Sequence, residues 1–250
     1  VGNRSRVAAP MGIKSSRRLR REPIGVVGAI TPWNFPHQIN FAKLGPALAA
    51  GNTVVLKPAP DTPWCAAAVG RIIAEETDIP AGVVNIVTSD DHGLGTQLVT
   101  DPRVDMISFT GSTQTGKAVM TAAAASLKKV FLELGGKSAF IVLDDADIAA
   151  AASYAAFGVC VHAGQGCAIS TRLLVPRELH DQAVEAAART MANIRPGDPA
   201  KPEPSAAPSF PNASGRASSA TSRSRAPRAA PSSPAAGVRT ASAAGSSSRP

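Results

Sequence analysis

Cys167 sits in Gly164-Gln-Gly-Cys167, a thiol flanked by glycines shortly before an apolar run that starts at Arg172. A cysteine at such a turn is open to solvent, and a nearby base or helix N-terminus lowers its pKa and makes it a nucleophile. The other two cysteines, Cys65 and Cys160, lie among Ala and Val and read as small core residues. Glu133 stands between Leu132 and Leu134 and is followed by Gly135, Gly136 and Lys137. On a strand it faces away from both leucines. Held in a partly apolar cleft it is a general base of raised pKa; otherwise it is a solvent-facing side chain at a strand end. Asn34 lies in Thr31-Pro-Trp-Asn-Phe-Pro36, a loop pinned by two prolines. An amide presented there can donate to a developing oxyanion, or satisfy backbone groups of its own turn.

A fourth group is Gly111-Ser-Thr-Gln-Thr-Gly116-Lys117, close to the loop whose backbone amides cradle phosphates. Ala118 stands where that loop carries its Mg²⁺-binding hydroxyl, which disfavours a nucleoside triphosphatase. What remains is a pyrophosphate site at a helix N-terminus, or a plain strand-to-helix turn.

These residues need elements to hold them. Short apolar runs occur at Ile24–Ile30, Thr53–Lys57, Val83–Val87, Met106–Thr110, Val130–Leu134, Ala139–Leu143 and Arg172–Pro176. Helical stretches separate them. Thr62-Pro63 has the form of an N-cap followed by proline at the first helical position, opening a helix to about Glu76. Asp144 to Asp147 form an acidic start for an Ala-rich helix, favourable to its dipole. A further helix spans Glu178 to Asn193, before Pro196-Gly197. Near-continuous apolar strands alternating with helices predict an α/β fold with a mostly parallel sheet covered on both faces.

Hydrophobic residues are 44% of the 250, enough for a real core. Three cysteines make no disulfide framework, no apolar run approaches the roughly 20 residues of a membrane helix, and the basic N-terminus, residues 1–21, has no apolar h-region of a secretory signal. A soluble, cytoplasmic protein is expected. The net charge of +8 would point to nucleic acid, but residues 201–250 hold 7 of the 26 Lys+Arg and 1 of the 18 Asp+Glu. The body of the chain is therefore near neutral, and no nucleic-acid partner is expected. That tail has 13 Ser, 13 Ala, 8 Pro and 6 Arg in 50 positions, a composition expected to be disordered and resembling an out-of-frame reading of a GC-rich gene.

Taken together, Thr31–Pro36, Lys57-Pro58, Phe109-Thr-Gly-Ser-Thr113, Glu133–Lys137 and Gly164–Cys167 resemble the NAD(P)-dependent aldehyde dehydrogenase superfamily in order and spacing. Glu133 and Cys167 are 34 positions apart, and Asn34 and Glu133 are 99 apart. The resemblance covers roughly Arg21 to Asp198. It implies a Rossmann-like α/β fold divided into an N-terminal basic segment (1–22), a partial NAD(P)-binding domain (23–135) and the start of a catalytic domain (136–200), followed by the tail. It implies an oxidoreductase that converts an aldehyde to a carboxylic acid with NAD or NADP as cofactor and no metal. Cys167 would be the nucleophile, passing through a thiohemiacetal and a thioester. Asn34 would hold the oxyanion, and Glu133 would activate the hydrolytic water. Lys57 would contact the adenosine ribose, and Thr31, Pro32, Trp33, Gly111, Ser112 and Gly116 would line the cofactor.

There are departures. Pro60 replaces the glutamate that often bonds the ribose hydroxyls, leaving NAD against NADP open. Ser89-Asp-Asp-His-Gly93 is a bulkier, more acidic turn than is usual after the third strand. Family members run to about twice this length and are usually homo-oligomeric, so the resemblance implies a truncated member of impaired activity, lacking oligomerisation segments and much of the aldehyde pocket. The alternatives are a non-catalytic nucleotide-binding remnant, or a basic-tailed protein that binds an anionic partner.

Overall fold

A computed structural model describes residues 4–8, 14–18 and 20–194. The expectations for residues 201–250 and for the helix stop at Pro196-Gly197 lie outside the described residues. The basic N-terminal segment, in which the sequence pattern marks no element, contains two paired strands. β1 (Arg4–Ala8) runs antiparallel to β2 (Lys14–Arg18), with Arg4 opposite Arg18.

The apolar runs become strands within two residues of their expected bounds: β3 (Val26–Ile30), β4 (Thr53–Lys57), β5 (Val84–Ile86), β6 (Met106–Gly111) and β7 (Lys129–Leu134). They form one parallel sheet in the order β5-β4-β3-β6-β7. Helices α1 (Pro36–Ala49), α2 (Pro63–Glu76), α3 (His92–Thr100) and α4 (Thr113–Ala124) connect them. The helices of the β3–β4–β5 half supply Leu44, Ala47, Ala66 and Val69 to a cluster with Val27, Ala29, Val54 and Leu56. α3 and α4 bring Val99, Val119 and Ala123 to a second cluster with Ile107 and Phe109. Burial of both faces explains why these strands are apolar throughout rather than alternating. β7, at the edge, alternates exposed and half-buried positions instead.

The amino end of the sheet is pinned by side chains. Asn52, 7% exposed, accepts from the Ile24 and Gly25 amides at 2.6 and 3.0 Å and donates to the Ala47 carbonyl at 3.1 Å. Asp105 accepts from the Val26 amide at 2.8 Å. Gly25 has φ +122, and a Cβ there would collide with the Asp105 carboxylate, so only glycine fits.

A second, two-stranded parallel sheet pairs β8 (Ser138–Ile141) with β9 (Ser170–Leu174). It packs under α5 (Ile148–Cys160) and α6 (His180–Ala192) around Val142, Ile148, Ala152, Ala183 and Ala186. Asp147 caps α5, its carboxylate accepting from the Ala150 amide at 3.0 Å. α2 opens at Pro63 after Thr62 and ends at Glu76, as the sequence pattern predicts, although the Thr62 hydroxyl makes no capping bond and is buried without a partner. One helix expectation is corrected. The last helix begins at His180, because Arg177–Leu179 form a tighter 3₁₀ turn first.

Candidate active site

In an open parallel sheet, ligands bind at the carboxyl ends of the strands, where the strand order reverses. Here that point lies between β3 and β6. β3 delivers Thr31–Asn34 to that edge, β4 delivers Lys57, and β6 delivers Gly111 and Ser112. β7 carries Glu133 directly opposite Thr110.

The Thr31 hydroxyl is buried and donates to Asn40 Oδ1 at 2.7 Å, while its amide donates to the Lys57 carbonyl at 3.1 Å. Thr31 thus ties α1 and β4 together at the edge; Pro32 and Trp33 follow, half-buried. Lys57 is 5% exposed, and its Nζ donates to the Ser89 carbonyl at 3.2 Å. Burial lowers its pKa, and Asp91 and Asp90 work in the opposite direction. The acidic turn therefore partners the lysine. Ser112 caps α4, accepting from the Thr115 amide at 3.2 Å. The two glycines of this turn answer to packing: a Cβ would meet the Phe109 ring at Gly111 and the Leu134 side chain at Gly116. Gly135 and Gly136 have open space around them.

The thiol side is built differently. After α5 a 3₁₀ turn, Val161–Gly164, leads to Gln165, Gly166 and the exposed Cys167; Cys65 and Cys160 are half-buried. This loop grips the β3 loop. Asn34 Nδ2 donates to the Gln165 carbonyl at 2.6 Å, and His162 Nε2 lies 2.7 Å from the Asn34 carbonyl. The His162 ring stacks on Phe35 with centroids 4.3 Å apart. Asn34 therefore satisfies a backbone group far from its own turn. An amide nitrogen carries two hydrogens, so one donor is left over. The buried oxygens Asn34 Oδ1 and Gln165 Oε1 have no partner, which leaves acceptor capacity at the same place.

Glu133 is not part of this clasp. Its side chain is exposed rather than held in an apolar cleft, because β7 is the edge strand and alternates outward there. Its charge acts on Lys43, a residue the sequence reading passed over. Lys43 lies on the buried stripe of α1 with Asn40, Leu44 and Ala47, and its Nζ donates to Ser108 Oγ at 2.9 Å. Burial pushes the Lys43 pKa down to about 8, with Glu133 opposing. Polar residues at helical spacing on an apolar stripe were the available signal for it. His162 was also missed; ring contacts with Asn34 and Phe35, so distant in sequence, leave no local pattern.

The residues present fit a dinucleotide. A buried ammonium, a capped helix N-terminus and open space at Gly135-Gly136 share the carboxyl edge of the sheet, next to the orphaned acceptors. Among the described residues no group of His, Cys, Asp and Glu could hold a metal ion, and no helix is long and apolar enough to cross a membrane.

Comparison with known proteins agrees in sequence and in fold. The model of the aldehyde dehydrogenase family matches residues 5–219. A 3-succinoylsemialdehyde-pyridine dehydrogenase from a Pseudomonas species is 47% identical over 182 residues, covering 73% of this chain and 38% of the relative. Betaine aldehyde dehydrogenase from Bacillus subtilis is 44% identical over 184 residues, 74% of this chain and 37% of the relative. Among solved structures, betaine aldehyde dehydrogenase from Staphylococcus aureus in complex with NAD+ gives a TM-score of 0.78 at 32% identity, covering 89% of this chain and 43% of that one. A mutant aldehyde dehydrogenase from Pseudomonas syringae, in complex with NAD+ and octanal, gives 0.69 at 42% identity, covering 72% and 37%. The chain spans about 38% of the length of the curated relatives it matches. With the family model running across both sheets and the loops that hold Asn34 and Cys167, the chain belongs to the aldehyde dehydrogenase family.

Proposed function

We propose that this chain supplies the cofactor edge and the nucleophile of an aldehyde-oxidising enzyme that uses NAD or NADP. The observation that carries the reading is the clasp: Asn34 at the switch point is bonded to the loop that bears Cys167. NAD(P)+ bound at the sheet's carboxyl edge would accept the hydride. Lys57 and the Ser112 turn would hold it, with Thr31, Pro32 and Trp33 beside them and Gly111 and Gly116 shaping the turn. The Cys167 thiolate attacks the aldehyde carbonyl, and the oxyanion takes the second N–H of Asn34. Loss of hydride leaves a thioester on Cys167. Glu133, open to solvent at the edge of β7, takes a proton from the water that hydrolyses it. We assign residues 23–135 to the cofactor and 136–200 to the nucleophile; the separate β8–β9 sheet among the described residues supports that division. A cytoplasmic, reducing setting suits a catalytic thiol. The substrate class is a small-molecule aldehyde.

A non-catalytic nucleotide-binding role is the second reading, favoured by the exposure of both Cys167 and Glu133. Aldehyde-dependent reduction of NAD+ or NADP+, followed by the absorbance of the reduced nicotinamide, separates the two. Under the proposal Cys167→Ser abolishes reduction and Glu133→Gln leaves a first-turnover burst with a slowed steady phase. Cofactor binding by calorimetry with no aldehyde-dependent reduction would support the second reading and reject the first.

A further inference from the structure

His162 and Ala163 both adopt left-handed backbone conformations, φ 53 and ψ 35 followed by φ 54 and ψ 32, and Gly164 continues with φ 74. Two successive non-glycine residues in this region carry steric strain, which persists only where the surroundings hold it. Histidine, with Asn and Asp, is among the side chains enriched there. Within the turn, the Gln165 amide and Nε2 donate to the His162 carbonyl at 3.1 and 3.0 Å; from outside it is held by the His162 ring, and both ring contacts fall on the β3 loop. One is the stack on Phe35, with an interplanar angle of 26°; the other is the 2.7 Å approach of Nε2 to the Asn34 carbonyl. A carbonyl only accepts, so Nε2 carries the hydrogen. The ring thus grips the backbone of the residue whose side chain donates to Gln165, two positions before Cys167.

The geometry points to His162 as the positioning residue that sets the placement of the Asn34 amide against the Cys167 thiol. The inference rests on the reading of Asn34 as oxyanion donor and Cys167 as nucleophile. His162 touches neither substrate nor cofactor in this account; it acts through Asn34. Its hydrogen bond fixes the position of the Asn34 backbone, its stack fixes Phe35, and the strained turn stays wound so that Gln165 reaches the Asn34 amide. Without the donor the turn relaxes, and the two reacting groups lose their registry while the thiol stays exposed.

Two reagents separate registry from mere folding. p-Nitrophenyl acetate acylates Cys167: sulfur bonds to the acetyl carbon, p-nitrophenolate leaves, and the thiol proton passes to solvent. That step needs an oxyanion donor. Iodoacetamide alkylates the same sulfur with loss of iodide and forms no oxyanion, so it reports only exposure and thiolate content. Both rates are measured on the full chain, with modification assigned to Cys167 by peptide mass. His162→Phe, which keeps a stacking ring, is expected to slow acylation by on the order of 10-fold, short of the about 10²-fold that a 1 Å misplacement can bring. Its alkylation rate should stay within about twofold of the wild type. His162→Gln, with an amide donor at similar reach, should recover most of the acylation rate. Unchanged acylation in His162→Phe, equal losses in both reactions, or no recovery in His162→Gln would overturn the inference. Asn34→Ala is the separate control: if it acylates as fast as the wild type, the oxyanion reading itself falls. If Asn34→Ala is slow and His162→Phe is not, only the role of His162 falls.

Discussion

Lys43 holds its charge where the surroundings penalise it, and the penalty has a pH signature. The residue is 7% exposed beneath the sheet, and its pKa is lowered from 10.5 to about 8. At about 1.4 kcal/mol per pH unit, that drop corresponds to about 3 kcal/mol of unfavourable interaction with the charged form. In the folded chain the ammonium gives up its proton near pH 8, whereas in the unfolded chain it keeps it to about pH 10.5. Between those values the unfolded state binds more protons, so folding stability rises with pH and falls again as pH drops through 8. Lys43→Met keeps the aliphatic stem and removes the titration. It also removes the bond to Ser108 Oγ, which is worth about 1.5–3 kcal/mol for a charged donor. At pH 7 the two terms largely offset, and the variant should lie within about 2 kcal/mol of the wild type. By pH 10.5 the wild type should have gained about 3 kcal/mol relative to the variant. Urea unfolding followed by circular dichroism at intervals across that range measures the difference directly, and groups common to both proteins cancel. A wild-type-minus-variant difference that stays constant from pH 7 to 10.5 would refute the burial argument.

Two further expectations concern cofactor and core. Lys57→Ala should weaken NAD+ or NADP+ binding by about 1–3 kcal/mol in calorimetry, the scale of a lost charge-assisted hydrogen bond; equal affinities would remove Lys57 from the cofactor edge. Leu56 on β4 is wholly buried, so Leu56→Ala should cost about 2–5 kcal/mol, read as a lower urea midpoint at unchanged slope. An unchanged midpoint would mean that β4 is not central to the sheet.

The inner strands of the five-stranded sheet, β3, β4 and β6, were legible because burial on both sides writes a continuous apolar run, as in Thr53–Lys57 and Met106–Thr110. α1 was not. Gly45 and Pro46 interrupt it, and its buried stripe includes Asn40 and Lys43, so the apolar period is broken by the residues that matter most. The β1–β2 pair escaped for the opposite reason: RSRVA and KSSRR are polar and basic, with little to alternate. At the site, alternation placed Glu133 opposite Leu132 and Leu134, and the structure keeps that alternation. Whether a cleft closes over the carboxylate depends on what stands opposite the edge strand, which no local pattern encodes. The grip of His162 on Asn34 and Phe35 is likewise a product of tertiary geometry.

The side chains that pin the amino end of the sheet have a consequence for tolerance to change. Asn52 joins the lead into β3 to the end of α1, and Asp105 locks the first residue of β3 against β6. Each of these bonds closes within the protein. At the opposite end of the same strands, Ser112, Glu133 and Cys167 are exposed, and the Gly135-Gly136 turn is open. The sheet is thus polarised between a rigid foundation and an adaptable rim. Substitutions at the foundation register first as lost stability, and those at the rim as altered chemistry with the scaffold intact. Rim loops can therefore diversify while the foundation is left alone.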